Sequence, residues 1–464
     1  DLPVFATLIF DEKGKLLTGG DVLSTVALLE GLGVDALGIN CGLGPRQMLP
    51  ILKEICRHAS IPVIVKPNAG LPKQRGQETY YDVTPELFAG WMQEIVKAGA
   101  CIVGGCCGTT PEHIRRMTDI CKNMAVQKQT EKEETVVSSY GQAVILGDCP
   151  VIIGERINPT GKKRFKQALK EHDIDYILKE GIRQQEQGAH ILDVNVGLPD
   201  IDEPSMMEEV VRELQGITSL PLQIDTVDQE AMERAMRVYN GKPMVNSVSG
   251  KQESMDMVFP LVQKYGGVVI GLALDEQGIP DTAEGRVEIA GKIIREAAKY
   301  GIRPKNIVID VLTMTISSEP EGAITVLNAL EMVRNKYHVR TVLGVSNISF
   351  GLPYRPAVNS IFYAMQKGLT AGIINPGSEE MMKAYRSYLA LMNFDPNCEG
   401  YIAAYAGYTQ PEGVRAVGTQ PVSGGSVGEM TLQYAIERGL KEEASRLTKD
   451  RVAAEDPLAI INED

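Results

Sequence analysis

Between residues 150 and 375 the chain repeats one pattern eight times: a short apolar run, a polar residue that ends it, and an amphipathic stretch of helical length. The runs fall at 151–154, 190–194, 221–224, 243–245, 268–272, 306–309, 341–345 and 371–374. They end at Glu155, Asp193 with Asn195, Asp225, Asn246, Asp275, Asp310, Asn347 and Asn375, spaced 21 to 38 residues apart. That spacing suits strand, loop and helix but not hairpins. Apolar runs buried on both faces and alternating with helices specify a parallel sheet. Eight such units predict a closed (β/α)8 TIM barrel, with an open doubly wound sheet as the competing arrangement.

The first 121 residues use the same pattern but reach only four strands, at 4–10, 36–41, 63–66 and 101–104, with helical patterns at 21–31, 45–57, 84–98 and 111–121. Four parallel strands alone leave two open edges. The expectation is therefore the C-terminal half of a second (β/α)8 barrel, over residues 1–121. The chain opens on Asp1, not Met, leads straight into the apolar run at 4–10, and is expected to have been cut from something longer. Residues 122–143 are polar and charge-rich and predict a linker to a barrel domain at 144–400. A second linker is expected at 401–428, where Gly, Pro and Ser accumulate from 407 onward. Residues 429–464 predict helices at 430–439 and 441–451 and the start of a third, too little for a core, so the chain is also expected to stop partway through a helical domain.

Composition narrows the options. With 47 Lys and Arg against 60 Asp and Glu, the net charge of −13 gives no basic footprint for a general nucleic-acid partner. No apolar run approaches the ~20 residues of a membrane span, and no signal-peptide core opens the chain. Seven of the eight cysteines lie in the first 149 residues. Without a secretory segment the expected location is the cytoplasm, where clustered thiols serve as metal ligands or catalysts.

Cys41 ends one apolar run in GINCG (38–42), and Cys106 and Cys107 end another in GGCCGTTPEHI (104–114). In a parallel α/β structure both positions fall on the carboxyl rim, where such folds place chemistry. Vicinal thiols do not easily bond to each other but can share a soft cation. Three thiolates would leave zinc one open tetrahedral position. The competing reading is that cysteines are small buried hydrophobes, and it is preferred for Cys56, Cys101, Cys121, Cys149 and Cys398. The two segments resemble the homocysteine S-methyltransferase family. That resemblance implies that Cys41, Cys106 and Cys107 are zinc ligands and that the homocysteine sulfur takes the fourth position.

The rim of the second barrel reads as almost free of Lys and Arg and rich in carboxylates and amides. Such a ring suits a flat heterocycle with many N–H groups, such as a pterin. The alternative for a lone Asp is a helix cap, preferred for Asp228, Asp281 and Ser378. The pieces GERINPTG (154–161), DVNVG (193–197), QIDT (223–226), NSVSG (246–250), ID (309–310) and GVSNISFGLP (344–353) resemble the pterin-binding barrel family. The resemblance implies that Asp225, Asn246, Asp310 and Asn347 grip the pterin, with Glu155, Asn158, Asp193 and Asn195 beside them. Asn347 and Asp310 are also the candidate catalytic positions, through a water that assists protonation at the folate N5. Ser346-Asn347 stands where the synthase branch has Ser-Arg-Lys, which points to the methyltransferase branch. The final run DPLAIINED resembles the start of the helical cap on cobalamin-binding modules.

The order of these parts resembles the cobalamin-dependent methyltransferases that act between 5-methyltetrahydrofolate and homocysteine. It implies zinc and cobalamin as cofactors, the latter bound mainly by a cobalamin-binding domain of the same parent protein outside this chain. The rival expectations are a methyltetrahydrofolate:corrinoid protein methyltransferase, a dihydropteroate synthase-like enzyme, and a non-catalytic folate-binding module.

Overall fold

A computed structural model describes residues 2–365, 367–406, 432 and 441–452. The expected linker stretch 407–428, the expected helix at 430–439 and the DPLAIINED run therefore lie outside the described residues, apart from position 432. Residues 1–404 form one compact unit and 405–464 a second. Within the second, a helix spans Lys441–Val452.

The strands of the first unit are β1 (Phe5–Leu8), β2 (Ala36–Asn40), β3 (Val63–Lys66), β4 (Lys73–Arg75), β5 (Glu78–Tyr80), β6 (Ala100–Val103), β7 (Thr135–Ser138) and β8 (Ala143–Leu146). The series continues with β9 (Val151–Ile157), β10 (Ile191–Val194), β11 (Leu222–Asp225), β12 (Met244–Ser249), β13 (Val268–Leu272), β14 (Ile307–Asp310), β15 (Arg340–Gly344) and β16 (Ala371–Ile374). Strands β9 to β16 close into a parallel barrel, with β16 pairing back onto β9 through Ala371↔Val151 and Ile374↔Gly154. The closed sheet removes every edge, so the eight apolar runs are buried on both faces.

The first sheet is parallel in the order β1-β2-β3-β6, four strands among the described residues. Helices Pro45–His58 and Pro85–Lys97 cover it. Their Leu52, Ile55, Met92 and Ile95 pack with Leu37, Val63 and Val65 of the sheet, each nearly or fully out of water. Burial on that scale stabilises by roughly 1.5–3 kcal/mol per large side chain. The antiparallel pair β4–β5, between β3 and the helix at 85–97, carries no alternating apolar signal and was not expected.

The stretch 122–143 departs from a plain linker. Strand β7 lies inside it, fully buried, and pairs with β8 as an antiparallel hairpin. Val137 and Leu146 of this hairpin pack against Val151, Ile191, Met244, Val268, Val308 and Ala371 at the amino ends of the barrel strands. Tyr239 fastens it: its hydroxyl donates to the Ser138 carbonyl at 2.9 Å and accepts from the Leu222 amide at 3.0 Å. The hairpin thus plugs the barrel opposite its carboxyl rim. The same side meets the four-stranded half, where the Lys305 ammonium lies 2.9 Å from Glu131 and 3.5 Å from Glu30.

Candidate functional sites

The four-stranded sheet brings its three candidate cysteines together. Cys41 follows β2 in the left-handed conformation, φ 58°. Cys106 and Cys107 follow β6. The Cys41 and Cys107 sulfurs are 3.7 Å apart, those of Cys106 and Cys107 4.0 Å, and all three lie within 4.8 Å of one another. Sulfurs around a tetrahedral zinc at ~2.3 Å stand about 3.8 Å apart, so this donor set fits the ion. Cys107 is exposed while Cys41 and Cys106 are half-buried, which leaves an approach from solvent.

Backbone hydrogen bonds hold the thiols: Cys41 N–H donates to the Lys66 carbonyl at 3.0 Å and Cys106 N–H to that of Pro67 at 2.9 Å. The buried Asn68, not foreseen from the sequence, accepts from the Cys107 amide at 3.1 Å. Gly108 has φ +76°, and a Cβ there would stand 2.3 Å from the Tyr81 ring, so only glycine lets that ring cover the cluster. Burial opposes ionisation of the Cys41 thiol, but the Gly42 amide and hydrogen bonds from Cys106, Cys107 and Asn68 outweigh it and lower its pKa. Burial and the Cys41 sulfur push the Cys106 thiol up. One thiol is thus ready to ionise first, and a bound cation would supply the charge that ionises the others.

The second site is a cavity of about 650 Å³ at the carboxyl rim of the barrel. Glu155, Asn158, Asp193, Asp225, Asn246, Asp310 and Asn347 line it. Asn195 does not: its amide nitrogen donates to the Asp225 carboxylate at 3.0 Å, which makes it a support for that group. Asp193 accepts from Gln223 at 2.6 Å and Asp310 from the Leu312 amide at 2.7 Å. Asp228 caps the helix Gln229–Val238. Ser378 heads the helix Glu379–Leu391 but also lines the cavity. Asp281 caps nothing, because Thr282 accepts from the Gly285 amide instead.

The rim is not free of cations. Arg156, Lys162 and Arg355 line the cavity, although the strand-end pattern pointed only to acids and amides. Lys162 donates to the Glu155 carbonyl at 3.1 Å, and Arg355 grips the turn that carries Asn347, donating to the Ser346 carbonyl at 2.8 Å and the Ser349 hydroxyl at 3.0 Å. Arg156 lies in β9 beyond its apolar run, Lys162 precedes the helix Lys163–Glu171 and Arg355 opens the helix Arg355–Ala364, so an apolar-run pattern does not single them out. Phe350 lines the mouth and is two-thirds exposed.

Burial dominates the electrostatics. It raises Asp310 to about 7, with the Leu312 amide and Arg286 pulling the other way. It raises Asp225 to about 6 against the pull of Asn195, and it raises Glu155 and Asp193 as well. Near neutral pH Asp310 and Asp225 can accept or donate a proton, and the cavity presents both hydrogen-bond acceptors and titratable acids to a ligand.

Residues 1–121 match the family described as homocysteine S-methyltransferase, and residues 154–375 match that described as pterin binding enzyme. The chain is 34% identical to a methionine synthase of Mycobacterium tuberculosis over 81% of this chain and 33% of that protein. It is 30% identical to the Mycobacterium leprae methionine synthase over 100% of this chain and 41% of that one. It thus spans between a third and two-fifths of the length of these relatives. Among solved structures, a Xanthomonas albilineans dihydropteroate synthase in complex with 7,8-dihydropteroate aligns at 18% identity and a TM-score of 0.42, covering 56% of this chain and 98% of that one. A homocysteine S-methyltransferase segment is thus followed by a pterin-binding barrel, and the similarity to methionine synthases runs through both.

Proposed function

We propose that the parent enzyme transfers a methyl group from 5-methyltetrahydrofolate to homocysteine, giving tetrahydrofolate and methionine. One observation carries this reading: a three-sulfur cluster and a cavity lined by carboxylates and amides occur in one compact unit. Cys41, Cys106 and Cys107 would hold a zinc ion, which supplies the Lewis acidity that keeps an incoming thiol as thiolate. A corrinoid, presented by a cobalamin-binding domain of the same protein, would carry the methyl group between the sites.

The residues of the cavity would do the rest. Asp225, Asn246 and Asp310 would pair with the N–H and carbonyl edge of the pterin, with Glu155, Asn158 and Asp193 alongside. A tertiary amine leaves poorly unless protonated, so the site must favour the N5-protonated form as the methyl group departs. A water held by Asp310 or Asn347 would share that proton, and a carboxyl that titrates near neutrality suits the task. All eight cysteines are free thiols and no helix among the described residues is long and apolar enough to cross a membrane, which supports a cytoplasmic setting.

Two half-reactions test the proposal: homocysteine with free methylcobalamin, and 5-methyltetrahydrofolate with cob(I)alamin. Both should proceed. If neither does while folate still binds, the chain is a binding module, and if only the second does, it serves a separate corrinoid protein.

A further inference from the structure

Arg286 is the largest fully buried side chain of the first unit, and it lies outside the cavity. It belongs to the helix Ala283–Lys299, which follows β13. No salt bridge reaches it among the described residues. Its guanidinium instead donates to three carbonyls on two loops: Pro280 at 2.9 Å, Val311 at 3.0 Å and Leu312 at 2.7 Å. A planar fork can bridge several fixed acceptors in this way, and a lysine cannot. Leu312 has φ 64°, an unfavourable conformation for a residue with a side chain, and its amide donates to the Asp310 carboxylate at 2.7 Å.

We propose that Arg286 is a positioning residue for Asp310: by clamping the 311–312 carbonyls it holds Leu312 left-handed, so that the Leu312 amide fixes the Asp310 carboxylate toward the cavity. The role rests on reading that cavity as the folate site. Without the clamp, the strained turn relaxes toward ordinary backbone, the amide turns away and Asp310 loses its orientation. It also loses a nearby positive charge. The other groups that face it are Glu155, Asp193 and Asp225 with Arg156, Lys162 and Arg355 across the cavity, while Asp281 and Glu319 lie near Arg286 itself.

The test is the affinity for 5-methyltetrahydrofolate between pH 5.5 and 9 of wild type, Arg286→Gln, Arg286→Lys and Asp310→Ala, with the whole chain used throughout. Arg286→Gln should weaken binding at pH 7 by about tenfold. Its loss of affinity on acidification should begin at higher pH than in wild type, because a carboxylate without its cation holds its proton longer. Arg286→Lys should restore the pH limb but not the full affinity. In an Asp310→Ala background, where nothing is left for the Leu312 amide to hold, the Arg286→Lys change should cost nothing further, whereas a merely structural role would add its own loss. That double variant also decides the matter if Arg286→Gln fails to fold. Wild-type affinity and pH limb in folded Arg286→Gln, or additive losses in the double variant, would overturn the role while leaving the folate site intact. Absence of any binding by wild type would overturn the folate site and this role together.

Discussion

Asp310→Asn should stabilise the protein while disabling its cavity, and the gain should depend on pH. Asp310 is 8% exposed and its carboxyl titrates near 7 in place of 3.8, mainly because burial penalises the charge. A folded-state pKa raised above the unfolded one means that the folded protein holds the extra proton. The carboxyl therefore costs nothing below pH 3.8, and its stability contribution falls as pH rises to about 7. The full gap amounts to about 4 kcal/mol at ~1.4 kcal/mol per factor of ten, a ceiling that water entering the open cavity will reduce. Asparagine keeps the oxygen that accepts from the Leu312 amide and sheds the buried charge. Urea unfolding of both proteins from pH 4 to 8.5 would measure this. The variant should match wild type near pH 4, exceed it increasingly up to pH 7 and hold that margin above. A margin that is constant with pH, or one that grows toward acid, would refute the reasoning, because neither can arise from a carboxyl neutralised by burial.

Other expectations are more direct. Cys106→Ser should lower zinc content from near one per chain and abolish methylation of homocysteine by methylcobalamin, while the folate half-reaction continues; metal analysis and the two assays read this. Asn195→Ala removes the donor that pulls Asp225 down, so folate affinity should fall by about tenfold at pH 7 and recover in part at pH 8.5, as titration of binding would show. Lys242 is buried beside the half-barrel, donates to Asn306 at 2.7 Å and has its pKa lowered to about 8 from 10.5. Its favourable contribution is present above pH 10.5 and lost as pH falls through 8, so Lys242→Met should raise the melting temperature at pH 7 and lose that advantage above pH 10.

Much of the barrel was legible because each strand announces itself twice, by an apolar run and by the polar residue that ends it. Asp225 and Asp310 close β11 and β14 in this way, and their side chains face one cavity. The rest follows other rules. Strand β7 hides in a charged stretch because only Val136 and Val137 are apolar, and its Thr135 and Ser138 are buried by contacts from distant segments. Arg156, Lys162 and Arg355 escaped notice because none belongs to an apolar run or ends one: Arg156 follows the terminator Glu155 within β9, and the other two stand at helix starts. Asn195 could not be told from a ligand contact by sequence, since its partner Asp225 lies 30 residues away. Asn68 sits two residues past the end of β3, and only the closeness of β3 to β6 brings it beside Cys107.

The Tyr239-fastened hairpin shields the apolar amino ends of the barrel strands from water, while the cavity opens at the opposite, carboxyl rim. On the proposed function, a carrier that collects a methyl group from a ligand in the cavity would approach over that rim.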